Sequence, residues 1–229
     1  MPRSPYARRE AAARSRLYAI AAIALTVLSL LVFIKFANEL EKKELDAFDE
    51  TVGGWILPLV HPALTLIMKA LTFWGSSLGL SLVTAVAGLL LLFRRHRWEA
   101  LFFVLSAGGA GLFNLLLKNI FKRERPTLHR LIEQAGYSFP SGHSMGSMAT
   151  YGMLAVILCL FFPNKLARVL LLTAAALVIV LIGVSRIYLG VHYPSDVAAG
   201  FAAGAAWLLI CLLALQAVRQ ARRSRRSRR

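Results

Sequence analysis

"SFPSGHSMGSMATYGMLAVILCLFF", residues 138–162, sets a polar turn with a histidine directly against an uncharged apolar run from Ser144 to Phe162. At a rise of about 1.5 Å per residue, a helix of this run approaches the roughly 30 Å hydrocarbon core of a bilayer. Five more such runs occur, over Leu17–Phe36, Ser76–Phe93, Trp98–Phe121, Leu166–Val184 and Ser195–Val218. The chain is 58% apolar with mean hydropathy +0.62, against about half apolar in soluble domains. A soluble globular protein is excluded. The pattern predicts an all-α integral membrane six-helix bundle, one domain over residues 1–229, with no room for a second soluble domain.

The first run ends in "NELEKKELD" rather than in a small-residue cleavage site, so it reads as a retained helix and not as a signal peptide. Leu45 to Trp74 is only partly apolar, broken by Gly53, Gly54, Pro58, His61, Pro62 and Lys69. It reads as a short interfacial or re-entrant helical segment, with a seventh span as the lesser alternative. Positive charge orients the bundle. With six spans, the N-terminus, "RRHR" at 94–97, "NKLAR" at 164–168 and the C-terminal arginines all fall on one side, which the positive-inside rule makes cytoplasmic. The expected localisation is therefore a multi-pass protein of the cell membrane with both termini cytoplasmic.

The net charge of +16 sits largely in two tails, 1–16 and 219–229, the second holding seven arginines. These flank spans and read as topology signals and contacts to anionic lipid, not as a nucleic-acid surface. Cys159 and Cys211 lie within apolar runs and predict neither a disulfide nor a thiolate metal site. Small residues in "SAGGAG" at 106–111 and at Gly200 and Gly204 permit close helix approach; a substrate groove beside the third span is the sharper alternative.

Three polar stretches reach the outer side. "KNIFKRERP" carries Lys118 and Arg125, two helical turns apart and so on one face if the helix continues that far. A lysine point charge and a guanidinium fork converging on one place suit a phosphate, whereas Lys122 and Arg123 read as snorkelling side chains. "FPSGH" shapes a turn, with Ser141 as helix cap and Gly142 relieving the approach to a helix N-terminus, an anion site beside His143. Taken alone, that histidine needs no chemical role. "SRIYLGVHYPSD" adds Arg186, His192 and Asp196, the carboxylate four residues after the histidine. A carboxylate on one imidazole nitrogen fixes the tautomer and frees the other as a nucleophile. Three cations, an anion-binding helix start and two histidines, one with a carboxylate, predict phosphoryl transfer without a metal. Zinc on His143, His192 and Asp196 is disfavoured by the neighbouring cations.

Lys118 with Arg125-Pro126, then Pro140-Ser141-Gly142-His143, then Ser185-Arg186 with His192 and Asp196, resembles the three-part signature of the type-2 phosphatidic acid phosphatases, lipid phosphate phosphatases related to vanadium haloperoxidases. The resemblance implies that His192 attacks phosphorus, oriented by Asp196, and that His143 protonates the leaving oxygen and then activates water. It also implies that Lys118, Arg125, Ser141, Gly142 and Arg186 hold the phosphate, with no cofactor or metal. Similar compact bacterial enzymes act on undecaprenyl diphosphate, phosphatidylglycerol phosphate or phosphatidic acid. Preference among these is expected to rest on a groove beside the third and fourth spans and on the segment from Trp55 to Trp74. The expected partner is thus a membrane lipid phosphate at the extracytoplasmic face. A non-hydrolytic lipid-phosphate binding or transport protein and a lipid phosphotransferase are the competing readings.

Overall fold

The computed structural model describes residues 5–226, with side chains from 16 to 222. Most of the two basic tails lies outside those side chains, and with it the expected contact to anionic lipid. All regular structure among the described residues is helical. The helices are α1 (Pro5–Glu41), α2 (Asp46–Ile56), α3 (Pro62–Gly75), α4 (Ser77–Phe93), α5 (Arg97–Phe121), α6 (Gly142–Phe161), α7 (Lys165–Tyr188) and α8 (Pro194–Arg226).

Five of them, α1 and α5 to α8, are long and apolar enough to cross a membrane, and α4 is a sixth apolar helix of 17 residues. Leucines at 17, 66, 89 and 166 stand exposed around the bundle, as side chains facing lipid do. The broken segment after the first run becomes α2, a 3₁₀ turn over Leu57–Leu59 and α3, bent by 119° between the two arms. Pro58 and Pro62 enforce the break because neither donates a backbone N–H. Its apex is tied to the bundle by the Tyr188 hydroxyl, which accepts from His61 N at 2.9 Å and lies 3.0 Å from Thr65 Oγ1.

Helix α6 occupies the middle, packed on α5, α7 and α8, while α1 lies along α8. Apolar surface alone does not drive helices together in lipid, so close packing of small residues must. Gly200 and Gly204 supply it. A Cβ on Gly200 would stand 2.7 Å from Ser141 O, and one on Gly204 2.6 Å from Met145 O, both backbone atoms at the start of α6. Ala110, Met145, Ala149 and Ala203 fill the same junction. "SAGGAG" divides between its two expected roles. A Cβ on Gly109 would collide with the Trp207 ring at 2.3 Å, whereas Gly108 and Gly111 meet nothing within 4 Å.

Two expectations are corrected. The α5 helix stops at Phe121, where Lys122 takes the left-handed region at φ 47°, so Lys118 and Arg125 do not share one helical face. Helix α7 runs on past Val184 to Tyr188 and carries Arg186 on its last turn.

Leucine at position 204 would force α6 and α8 apart. Overpacking of this kind costs about 1–3 kcal/mol, so Gly204→Leu should lower the thermal unfolding midpoint in detergent while Gly108→Ala leaves it unchanged. Equal midpoints would contradict the assigned packing.

Candidate active site

Four helix ends meet at one end of the bundle: the last turns of α5 and α7 and the first turns of α6 and α8. Ser141 caps α6, its Oγ accepting from Ser144 N at 3.4 Å, and its own N–H donates to Asp196 O at 2.9 Å. The two helix starts are thereby joined. Asn114 on α5 donates to Pro140 O at 3.0 Å, and its Oδ1 would lie 2.8 Å from a Cβ on Gly142, so only glycine lets the turn sit this close. Gly190, at φ 69°, turns the chain from α7 toward α8 beneath the His129 carbonyl.

His192 is buried on this turn, one side facing a carboxylate and the other a cation. Its Nδ1 lies 3.3 Å from Asp196 Oδ2 and 3.3 Å from Ser138 Oγ. Its Nε2 lies 3.0 Å from Arg125 Nη1. Guanidinium only donates, so Nε2 is the unprotonated nitrogen and the proton sits on Nδ1, toward Asp196. Burial, together with the charges of Arg125 and Arg186, overrides Asp196 and lowers the His192 pKa to about 3. The imidazole is neutral at physiological pH, as a nitrogen nucleophile must be.

Asp196 is fully buried and accepts from four directions. Arg123 Nη1 reaches Oδ1 at 2.7 Å; Oδ2 takes Tyr193 N at 2.9 Å, the Ser138 hydroxyl and the His192 ring. A buried carboxylate left without such donors would be strongly destabilising.

Of the remaining expected phosphate-site residues, all but Ser141 and Arg186 line one cavity. It has a volume of about 1140 Å³ and is bordered at its polar end by Lys118, Arg125, Gly142, His143 and His192. Among the described residues, His143 has no hydrogen-bond partner, and Gly75 keeps its seat open, since a Cβ there would lie 3.2 Å from the ring. Lys118 Nζ donates to Tyr137 O and, at 3.4 Å, to Ser138 O. Arg186 is 1% exposed, donating Nη1 to Thr72 Oγ1 at 2.6 Å and Nη2 to Gln134 Oε1 at 2.9 Å, with its Nε left unpartnered. An unpartnered buried donor on a cation suits an anion's oxygen. Arg125 differs: every N–H is engaged, by Ala135 O, Gly136 O, Tyr137 O, Val191 O and His192 Nε2. In this state it organises the loop, and burial lowers its pKa. Among the described residues no group of three or more His, Cys, Asp or Glu stands together as a metal cage.

From the polar end the cavity runs along α4 and α5, past Thr84, Gly88, Gly108 and Gly111, to Leu101 and Arg97 at the opposite end of α5. The groove thus lies beside the third span and the start of the fourth, where Gly142, His143 and Gly146 line it, with the second span as its other wall. The expectation for Arg123 fails: instead of snorkelling, it pairs with Asp49 at 2.8 Å and with Asp196 at 2.7 Å, over the Tyr193 ring. Burial would lower its pKa, but the two carboxylates outweigh that and raise it. Ser138, Asp49, Ser195, Gln134 and Thr72 escaped sequence reading. Ser138 and Ser195 stood in the quoted stretches, but a serine close to a proline is an ordinary turn residue.

These helices and this cluster have relatives. The PAP2 superfamily matches residues 99–220, which contain all three polar stretches. The chain belongs to the PAP2 superfamily. It is 32% identical over 176 residues to phosphatidylglycerophosphatase B of Bacillus subtilis (strain 168), covering 76% of this chain and 86% of that one. Decaprenylphosphoryl-5-phosphoribose phosphatase of Mycobacterium tuberculosis is 33% identical over 156 residues, 63% of this chain and 77% of its own. The crystal structure of a transmembrane PAP2-type phosphatidylglycerolphosphate phosphatase from Bacillus subtilis superposes with TM-score 0.77 at 30% identity, covering 82% and 94% of the two chains. The expected family, the all-helical membrane fold and the phosphatase class agree with these relatives.

Because folding lowers the His192 pKa, the unfolded chain takes up this proton below about pH 6.5 while the folded one resists until about 3. Folded stability should therefore fall as pH drops through that window and be flat above it. Thermal unfolding of the wild type and His192→Gln across that range tests this: the variant should lose less stability, and identical profiles would contradict the assignment.

Proposed function

We propose that this membrane phosphatase hydrolyses a lipid phosphate or diphosphate without a metal, through a phosphohistidine on His192, at the extracytoplasmic face. The observation that supports it most is the polarised His192, with a carboxylate at Nδ1 and an unprotonated Nε2, held by Arg125, at a cavity bordered by Lys118 and His143.

In the first step Nε2 attacks phosphorus, and the bond from phosphorus to the leaving oxygen breaks. Arg125 releases Nε2 as the substrate phosphate offers its oxygens in exchange. Lys118, the unpartnered Nε of Arg186 and the N–H groups at the start of α6 hold the equatorial oxygens, where charge develops. His143, acting as the general acid, gives its proton to the leaving oxygen. In the second step water attacks phosphorus, His143 takes a proton from it, the P–N bond breaks and inorganic phosphate leaves. Arg125, Arg186 and Lys118 supply the charge that a divalent cation supplies elsewhere.

The lipid chain lies in the groove between α4 and α5, whose walls are mostly leucine, alanine and glycine, with Ser77, Ser81 and Thr84 on the α4 side. Phosphatidylglycerol phosphate, phosphatidic acid and undecaprenyl diphosphate are the candidates to try first. The opposite end of the bundle carries Arg94, Arg95, Arg97, Lys165 and Arg168, and there Arg219 pairs with Glu99 at 3.8 Å. That asymmetry supports an extracytoplasmic site.

Purified protein in detergent with excess chelator should release inorganic phosphate from at least one of these lipids. No release, or release abolished by the chelator, would contradict the proposal. His192→Ala should cut turnover roughly 10⁶-fold, as loss of a covalent nucleophile does. His143→Ala should still trap phosphoenzyme from a substrate with a good leaving group, and equal trapping by both variants would contradict the assigned roles. Gly111→Trp, filling open groove, should cost about 100-fold on a long-chain lipid phosphate and little on a short soluble one. Equal losses would remove the chain from the groove.

A further inference from the structure

Asp49 lies on α2, outside the three motifs, yet is only 7% exposed and uses both carboxylate oxygens. Oδ1 accepts Ser195 N at 2.8 Å, and Oδ2 accepts Ser195 Oγ and Arg123 Nη2, each at 2.8 Å. The other nitrogen of that guanidinium, Nη1, donates to Ser195 Oγ at 2.8 Å and to Asp196 Oδ1 at 2.7 Å. One arginine is clamped between two carboxylates, and the second of these faces His192.

The charge count decides what this does. Asp196 with Arg123 alone is a neutral pair, and a guanidinium at 2.7 Å in a buried site would cancel most of the field that the carboxylate exerts on the imidazole. Asp49 cancels Arg123 instead, so the three groups together carry one negative charge. That charge matters because the other ionisable groups facing His192 are cationic or neutral: Arg125 from the loop, Arg186 from α7, Lys118 from α5 and His143 from α6. When Nε2 bonds to phosphorus and Nδ1 keeps its proton, the ring becomes a cation. Asp196 is the carboxylate within reach to stabilise it.

We propose that Asp49 is a positioning residue for the phosphoryl-transfer step, neutralising Arg123 so that Asp196 keeps an uncompensated negative charge toward His192. The inference rests on the phosphohistidine reading above. It also gives α2 a chemical role, because the segment after the first span then completes the site rather than merely covering the bundle.

A structural pin and a charge balance predict opposite results for one double variant. Asp49→Asn removes one negative charge and leaves the trio neutral. Asp49→Asn with Arg123→Gln returns it to one negative charge while deleting both ion pairs. Turnover on a lipid phosphate in detergent is measured for wild type, Asp49→Asn and the double variant, with gel filtration to establish folded protein. Asp49→Asn should lower kcat about 10- to 100-fold, as loss of an outer-shell partner does, with KM nearly unchanged. The double variant should recover to within about tenfold of wild type. A double variant as slow as Asp49→Asn, or slower, would overturn the proposal, as would wild-type kcat in Asp49→Asn. Should Asp49→Asn fail to fold, the double variant alone decides, by lying near the wild-type rate or about 100-fold below it. Failure of the underlying reading shows separately, as the absence of acid-labile phosphate on unmodified protein quenched during turnover.

Discussion

A fully buried carboxylate at the first turn of a membrane helix is the constraint around which the polar end of this protein is arranged. Asp196 cannot be left unpaired in a medium of low dielectric, and its donors come from separate parts of the chain. Arg123 comes from just past the end of α5, Ser138 from the loop before α6, and Tyr193 N and His192 from the turn before α8. The Asp196 carbonyl, in turn, accepts the Ser141 N–H that starts α6. Satisfying one residue therefore brings together the three motifs and both helix starts. The placement of His192, its tautomer and the turn at Ser141 are consequences of the same set of bonds.

That polar end is mounted on a bundle held by small residues. Gly200 and Gly204 let α6 and α8 touch backbone to backbone, so the Ser141 and Asp196 turns are fixed relative to each other by the packing beneath them. On the other side of α5, Gly108 and Gly111 do the reverse and leave space. One glycine-rich stretch thus separates a packed face from an open one. The open face leads from His143 and His192 along the apolar groove toward Arg97, at the far end of α5. A polar end and an apolar groove thus stand side by side.

Much of this was legible beforehand for reasons of scale. A bilayer demands runs of about 20 apolar residues, and backbone hydrogen bonding in lipid demands that they be helical, so six helices can be counted from composition alone. The gathering of the three motifs was equally legible, because each joins cationic or titratable residues at short spacing to the end of an apolar run. Lys118, His143, Arg186 and His192 do gather at one end. Arg123 was misread because a basic residue at a helix end normally reaches for water. Nothing local announced that Asp49, 146 positions before Ser195 in the chain, would meet it.

Sequence by itself determined the membrane, the helices and the chemical inventory, since each depends on hydrophobicity or residue type within a short window. Tertiary structure alone decided which cation keeps a free donor and which spends its donors on the scaffold. Arg186 keeps an unpartnered Nε, Arg125 spends every donor on carbonyls and His192, and Arg123 is locked between two carboxylates. The three arginines are the same residue to a pattern. They differ because burial and hydrogen-bond geometry are set by segments far apart in the chain, and a charge in low dielectric answers to whichever partner the fold brings within about 3 Å.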